Sequence, residues 1–278
     1  MRKFLSLLIF ASAAFLGVCL QNETSAPCVN KLRRWHPAEE EKYFGPIRSI
    51  QVDEQIYEFE SHFIYVHDKP LPTRYMEFDE KGRLIKEHDY RIDGVPSPLT
   101  LYEYDDNGFL VKENNLSAVT QQPYLETKYV YNADGTNKEI IQTGLDNGTV
   151  YSRWVISGDS NGNYADISET ESKTGWEFHV GIRRDSKCRV SEIYAYPPFV
   201  SVPIVKGSFL YDEKDNPVSV MQYTAIGTTL GQRKLEYEFD DNGNWVKRSD
   251  YAWKEEKDRS DWKLMNVLYR NITYFDTK

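Results

Sequence analysis

The sequence predicts an all-β protein, an antiparallel meander of tandem hairpins that forms a twisted open sheet or a partly closed barrel. Three observations support this prediction. Aromatic residues make up 14% of the 278 residues, with 20 Tyr and only 4 Met, and flat rings favour half-buried strands. Short segments alternate apolar and polar residues with a period of two. Asp-rich turns also recur at nearly constant spacing along most of the chain.

The repeat is clearest at 75–84, 102–110 and 237–245, where an aromatic-x-aromatic segment is followed by Asp-x-x-Gly. Weaker copies lie between these segments. The residues that open the turns are Asp79, Asp105, Asn132, Asp159, Asp185, Asp212 and Asp240, which are 26 to 28 residues apart. The segment 272–276 is expected to begin an eighth unit.

Each unit is predicted to be a β-hairpin. The aromatic segment has the alternation of a half-buried strand. The Asp carboxylate can accept hydrogen bonds from amides of the turn, and Gly three residues later tolerates positive φ. A second strand follows, such as 110–113 or 245–248. Successive hairpins then join into one sheet.

The pattern Tyr-x-Tyr/Phe-Asp-x-x-Gly-x-Leu resembles the YD repeats of bacterial RHS proteins and teneurins. The resemblance covers roughly Tyr75 to Asp276, and is strongest in the units that open at Asp79, Asp105 and Asp240. Two middle units depart from it, with Cys188 and Asp215 in the place of Gly. The resemblance implies a strip of hairpins, here with too few units to form the shell of the large family members.

The N-terminal segment is typical of an export signal. Met1–Val18 combines a basic start with a short apolar run, and a polar stretch follows it. We expect 1–18 to be a signal peptide, 19–44 a flexible arm, and 45–278 one β-repeat domain. The first strand is predicted near Gly45, paired with a strand that contains Ile56, Phe59 and Phe63.

The three cysteines allow two interpretations of the N-terminus. Residues 16–19 resemble a bacterial lipobox, which would make Cys19 a lipidation site and the protein a membrane-anchored lipoprotein. The alternative is a soluble periplasmic protein. In either case Cys28 and Cys188 remain as a possible disulfide in an oxidising compartment, or as two unpaired thiols.

Charge and motifs argue against several functions. The net charge of −9, with Lys and Arg interleaved with Asp and Glu, argues against nucleic-acid binding. The Asp-rich turns lack the sixth- and twelfth-position residues of an EF-hand. The five His residues lack metal-ligand spacing, and no nucleophile motif or phosphate loop occurs. We therefore predict no catalytic residue, cofactor or metal.

Aromatic residues outside the repeat positions are the candidates for a binding surface, because exposed rings can stack on sugars or anchor a protein. Cross-strand packing is the alternative role for them. A proline-rich segment, 194–203, also interrupts the array and is predicted to be an exposed loop or edge. The candidate surface residues are Trp154, Trp176, Tyr194, Tyr196, Phe199, Trp253 and Trp262.

The functional hypothesis is a non-enzymatic, exported interaction protein of the bacterial envelope. Repeat arrays present extended surfaces, and this one lacks a catalytic motif. One version is an immunity or inhibitor protein that binds a toxin. A carbohydrate-binding protein and a surface-structural protein are the alternatives, with membrane contact only through an N-terminal lipid.

Overall fold

In a computed structural model, sixteen β-strands are present among the described residues, which are 43–57, 69–90, 96–133, 137–158, 164–171, 177–196, 205–224, 226–256 and 259–276. The strands are β1 (Ile47–Ile56), β2 (Leu71–Phe78), β3 (Leu84–Tyr90), β4 (Pro96–Tyr104), β5 (Leu110–Leu116), β6 (Pro123–Tyr131), β7 (Asn137–Gly144), β8 (Val150–Gly158), β9 (Tyr164–Glu171), β10 (Glu177–Arg184), β11 (Val190–Tyr196), β12 (Val205–Tyr211), β13 (Pro217–Thr224), β14 (Thr229–Phe239), β15 (Trp245–Glu256) and β16 (Arg259–Tyr274).

The strands form an antiparallel meander that closes on itself. Each strand pairs with the next along the chain, and β1 pairs with both β2 and β16. The predicted all-β meander is confirmed. The closure is complete, because β1 and β16 pair over nearly the whole length of β1. Closure removes the free edges of the sheet.

Six of the seven units, numbered 1 to 7 along the chain, share one strand register, and they open at Asp79, Asp105, Asn132, Asp185, Asp212 and Asp240. In unit 4, which opens at Asp159, the described residues of β8 and β9 pair without a register shift. In unit 2, Glu103 lies opposite Lys112 and Tyr104 lies opposite Leu110, so Val111 is an extra residue that forms a β-bulge. The same shift occurs in the other five of these six units, for example between Glu238 and Phe239 in unit 7. The hairpin repeat seen in the sequence is therefore a repeat of strand pairing.

The eighth unit is a hairpin whose turn is interrupted by the chain termini. Ile47 lies opposite Tyr274 and Ile50 lies opposite Ile272, with a register shift beside the first pair as in the six units above. Phe275 N donates to Pro46 O at 2.7 Å, as the turn Asp N does to the carbonyl four residues later at Asp79, Asp105, Asp185, Asp212 and Asp240. Phe275 thus occupies the position of the turn Asp, one residue before the predicted Asp276.

The turn Asp binds its own loop through the carboxylate. In unit 2, Asp105 Oδ1 accepts from Asn107 N at 3.0 Å and from Phe109 N at 2.8 Å. The residue three positions after the Asp has positive φ. Gly108 has φ 82°, and Cys188 and Asp215 adopt 65° and 68° in the units that lack Gly. The repeat geometry persists in these two units despite the backbone strain of a side chain there.

Alternation divides the side chains between an inner and an outer face of the barrel. Inward positions carry the buried apolar core, a continuous cluster that extends from β1 to β11. Tyr104 OH also donates to Leu84 O, and Tyr131 OH to Leu110 O, each at 2.7 Å. These bonds tie each of these hairpins to the preceding one.

The predicted pairing of the first strand was wrong. Ile56 lies at the end of β1 itself, and the strands beside β1 are β2 and β16. Ile50, Val52 and Ile56 are all buried and form one inward row along β1. Ile56 therefore belongs to the same strand, and no turn separates it from the start of β1. Phe59 and Phe63 fall outside the described residues. No helix in the described ranges is long and apolar enough to cross a membrane.

Candidate functional site

The two ends of the barrel differ in their connections. We name the end that carries the Asp turns the turn end. The opposite end, with the connections around 117–122, 144–149 and 224–228, is named the loop end. β1 runs from the turn end to the loop end, as the second strand of each unit does.

Exposed apolar side chains concentrate at the loop end. Val119 is 91% exposed and Ile226 is 89% exposed, both in connections between strands. Seven of the twelve large apolar side chains that are exposed among the described residues lie at this end. They are Tyr57, Val119, Tyr124, Leu145, Ile226, Leu230 and Trp253. A concentration of exposed apolar side chains is typical of a contact surface.

A projecting ribbon, residues 253–256 and 259–262, extends the β15–β16 hairpin at the loop end. Within the described residues, the β14–β15 ladder ends at Ala252, whereas β15 and β16 pair with each other as far as Glu256 and Arg259. Trp253 lies opposite Trp262, with ring centroids 5.4 Å apart in an edge-to-face arrangement. The Trp253 side chain remains exposed. The ribbon therefore presents an aromatic pair beyond the wall.

The outer wall carries cross-strand ion pairs at equivalent positions of several units. Lys86 binds Glu77 at 2.9 Å, and Lys112 binds Glu103 at 2.8 Å. Such pairs keep much of the wall hydrated, and each contributes little to stability.

Tyr194 belongs to a compact charged cluster on this outer wall. Its hydroxyl donates to Glu192, which also accepts from Lys206 at 2.6 Å. Lys206 and Arg183 lie 5.5 and 5.2 Å from the ring centroid. Burial and the Glu192 carboxylate raise the pKa of Tyr194. The ring is thus engaged by its own neighbours.

Two buried carboxylates face inward in the first half of the barrel. Glu113 is 1% exposed and accepts from Tyr129 OH at 2.6 Å, and Glu87 accepts from Tyr102 OH. Both Glu residues lie eight positions after their turn Asp. The equivalent residue in unit 3 is Ile140, which is buried in the core. One register position therefore accommodates either a hydrogen-bonded acid or an apolar side chain.

A row of polar side chains, the polar belt, lies nearer the loop end on the inner face. It occupies the positions five before and ten after the turn residue in units 1 to 3 and the position five before it in unit 4. Thr100 Oγ1 donates to Asn115 Oδ1 at 2.9 Å, and Arg74 binds Asp89 at 3.2 Å. Units 5 and 6 have small or apolar residues at the position five before the turn, Val180 and Gly207. The polar belt consists of Arg74, Asp89, Thr100, Asn115, Thr127, Gln142 and Trp154.

A second inward polar group lies where the barrel closes. Asp250 is buried and binds Arg248 Nε at 2.9 Å. Burial raises the pKa of Asp250, although the nearby Arg248 and Arg233 oppose the shift. Asn266, opposite Asp250, donates to Glu54 at 2.5 Å.

Within the described residues, the predicted surface aromatics lie in three separate places instead of on one surface. Trp154 packs against the buried core on the inner face. Tyr194 and Tyr196 lie at alternate, outward positions of β11, whereas Trp253 and Trp262 lie on the projecting ribbon. Trp176 and Phe199 fall outside the described residues, as does Cys19. The polar belt was missed, although counting five and ten residues from each turn would have placed it on one face.

Cys188 is disulfide-bonded. Cys28, its predicted partner, lies outside the described residues, so this pairing stays a prediction. In the described ranges, no group of three His, Cys, Asp or Glu side chains could hold a metal ion.

Comparison with known proteins gives distant structural matches. No family model and no curated protein matches the chain. A porin-like protein from Bacteroides uniformis is 12% identical, with 83% of this chain and 99% of that chain covered and a TM-score of 0.40. A porin-like protein from Bacteroides vulgatus is 11% identical, with 85% and 100% covered and a TM-score of 0.39.

Part of the TcdB2-TccC3-Cdc42 structure also matches, with 9% identity, 66% of this chain and 15% of that chain covered, and a TM-score of 0.19. The resemblance to YD repeats remains one of sequence motif.

Proposed function

We propose that this chain is an exported, non-enzymatic interaction protein whose loop end binds a partner protein in the bacterial envelope. The supporting observation is the concentration of exposed apolar side chains at the loop end. Residues that only connect strands are usually polar, so Val119 and Ile226 at the tips of connections favour a contact role.

The rest of the surface supports this choice of site. The turn end exposes charged or amide side chains such as Glu80, Asp106 and Asn242. The turn Asp beside them uses its carboxylate to accept hydrogen bonds from amides of its own turn, as Asp79 and Asp240 do. The outer wall carries paired charges such as Lys86–Glu77, where a wall facing lipid would carry an apolar band. The loop end, with its exposed apolar side chains, is then the surface best suited to binding a partner protein.

The projecting ribbon supplies an anchor of the kind that protein interfaces use. Trp is enriched among residues that dominate binding energy, and Trp253 is exposed beside its partner Trp262. An inhibitor or immunity protein that blocks an envelope-acting toxin is the specific version of this function. Export and N-terminal lipidation of Cys19 are part of the same proposal. Both are inferred from the N-terminal sequence alone.

Site-specific photo-crosslinking in the producing cell tests the proposal. A photoreactive amino acid replaces Val119 or Ile226 at the loop end, and Glu80 or Asp106 at the turn end as matched exposed controls. We expect both loop-end sites to crosslink the same protein in near-stoichiometric yield, and the turn-end sites to give none. Equal yields at the two ends, or crosslinks from the turn end alone, would contradict the proposal.

A further inference from the structure

The chain enters and leaves the ring of strands at the turn end. Phe44 N donates to Asn244 Oδ1 at 2.7 Å, and Asn244 Nδ2 donates to Phe44 O at the same distance. Asn244 is 2% exposed and lies in the turn of unit 7. Phe275 N donates to Pro46 O, so β16 ends beside the start of β1. Residues 1–42 are therefore attached to the turn end and not to the loop end.

Tyr43 holds this point of entry against the inner face. Its ring lies 5.3 Å from the ring of Phe78, centroid to centroid, in an edge-to-face arrangement. The guanidinium of Arg270 lies 5.5 Å from the same ring, and the Tyr43 hydroxyl lies 4.0 Å from Met76 Sδ. Tyr43 thus packs on the core from the turn end, which fixes the start of the described chain there.

A disulfide gives the N-terminal segment a second attachment to the turn end. Cys188 is disulfide-bonded and lies in the turn of unit 5. Cys188 N donates to Asp185 O at 2.9 Å, and Arg184 Nη1 donates to Cys188 O at 2.8 Å, so the turn itself is well held. The other two cysteines of the chain are Cys19 and Cys28. Within one chain, the partner of Cys188 is therefore one of these two.

Lipidation of Cys19 would decide between the two partners. A lipid is carried on the sulfur of the cysteine, and a disulfide needs that sulfur as a thiol. A lipidated Cys19 therefore leaves Cys28 as the partner of Cys188. The link from the lipid to the ring is then the nine residues from Cys19 to Cys28, whereas without the bridge it is the 24 residues from Cys19 to Tyr43.

These two links differ in the orientations that they allow. A nine-residue link has a root-mean-square span of about 15–18 Å and a maximum of about 30 Å, whereas a 24-residue link has a root-mean-square span of about 25–29 Å. The eight-residue strand β10, which leads to the Cys188 turn, is about 20–26 Å high, depending on its tilt. A barrel with its loop end on the membrane would hold Cys188 at least this far from the lipid. The short link rarely spans that distance, and the long link often does.

We propose that the turn end of the barrel faces the lipid surface in which Cys19 is anchored, that the Cys28–Cys188 bridge imposes this orientation, and that the loop end faces away from the membrane. The orientation rests on the lipidation included in the proposed function, and it places the proposed binding surface. Val119 and Ile226 are then presented to a partner that approaches from the aqueous side. The bridge serves the loop end by orienting it, in addition to stabilising the fold.

Energy transfer to a labelled lipid tests the orientation in the lipidated full chain, reconstituted in phosphatidylcholine vesicles whose neutral headgroups exert no orienting charge. A genetically incorporated fluorescent amino acid replaces Asp106 or Val119, which lie at opposite ends of β5, and Asp241 or Ile226, which lie at opposite ends of β14. We expect the two turn-end donors to transfer more energy than the loop-end donor of the same strand. Cys28→Ser, which lengthens the link to 24 residues, should abolish most of this difference.

A second variant separates the length of the link from the stability of the fold. A Gly-Ser insertion of about fifteen residues between Cys19 and Cys28 lengthens the link to about 24 residues with the bridge intact. We expect it to abolish most of the difference as Cys28→Ser does, at an unfolding midpoint equal to that of the wild type. This variant therefore decides the matter if Cys28→Ser fails to fold.

Three results would overturn the inference. Equal transfer from both ends of each strand in the bridged chain, or stronger transfer from the loop end, would contradict the orientation and leave the loop-end binding surface untouched. A difference that survives the insertion would show that the short link does not impose it. Peptide mapping that links Cys188 to Cys19 would exclude the lipid as well, with loop-end binding still decided by photo-crosslinking.

Discussion

The turn end and the loop end terminate the same sixteen strands with different kinds of side chain. At the turn end, Asp105 and its equivalents in other units bind the backbone of their own turns. At the loop end, Val119 and Ile226 expose apolar side chains to solvent. The comparison indicates that one end specifies the fold, whereas the other end is free to carry function.

The disulfide at the turn end should give the largest effect on stability. Cys28→Ser leaves the Cys188 turn unchanged and removes the predicted crosslink, so we expect a loss of about 2–4 kcal/mol in the free energy of unfolding. Chemical denaturation measures the loss, and peptide mapping under non-reducing conditions identifies the partner. Recovery of Cys188 linked to Cys19 would contradict the predicted pairing.

The next effect concerns the turn carboxylates. Asp105→Ala removes the acceptor of two backbone amides, so we expect a loss of about 2 kcal/mol, as for hydrogen bonds to a charged group. Asp106→Ala is the matched control, because this neighbour is exposed, and its change should stay within about 0.5 kcal/mol. Equal urea midpoints for the two variants would show that the Asp does not determine the turn.

Acid should weaken the turn end through the same carboxylates. Burial tends to raise the pKa of Asp185, but hydrogen bonds from Arg189 and from backbone amides outweigh it, so the pKa lies below its ordinary value. Stability from this group is therefore complete above the ordinary Asp pKa of about 4 and is lost as pH falls through the lower, folded-state value.

Asp185→Asn lowers stability at neutral pH and should reduce the further loss between about pH 4 and pH 2. Unfolding midpoints across that window measure the effect, with Asp106→Asn as the exposed control. An acid limb as steep in Asp185→Asn as in the wild type would contradict the assignment.

The smallest effect on stability is expected at the loop end. Val119→Ser and Ile226→Ser replace exposed side chains, so the free energy of unfolding should change by less than about 0.5 kcal/mol. The same variants should weaken the crosslinked complex. A large loss of stability with binding unchanged would assign these residues to the fold.

Sequence predicted the repeat well, because Asp-x-x-Gly turns and alternating strands are local patterns. The missed elements required pairing between distant segments. Gly45-Pro46-Ile47 contains only the second half of the motif, and 272–275 contains the first half, so the eighth unit is recognised only when β1 and β16 meet. Gly45 has φ 80°, as the Gly of a repeat turn does.

The face of one candidate aromatic follows from its place in the unit. Trp154 is a surface candidate because it lies outside the consensus positions of the repeat, but its place five residues before the turn puts it on the inner face, packed against the core. The faces of a strand follow from counting from the turn. Within the described residues, its Nε1 atom is buried without a hydrogen-bond partner, which could not be predicted because it depends on what packs around the ring.

Closure through the eighth unit joins all sixteen strands into one ring and so defines its turn end and its loop end. Gln51 lies opposite Asn271 across β1 and β16. The most direct test is disulfide formation in Gln51→Cys/Asn271→Cys under mild oxidation, compared with Gln51→Cys/Thr273→Cys, two residues out of register. A closed ring in this register predicts near-complete crosslinking of the first pair and little of the second. No crosslink in either pair, or equal crosslinking of both, would contradict a closed ring in this register.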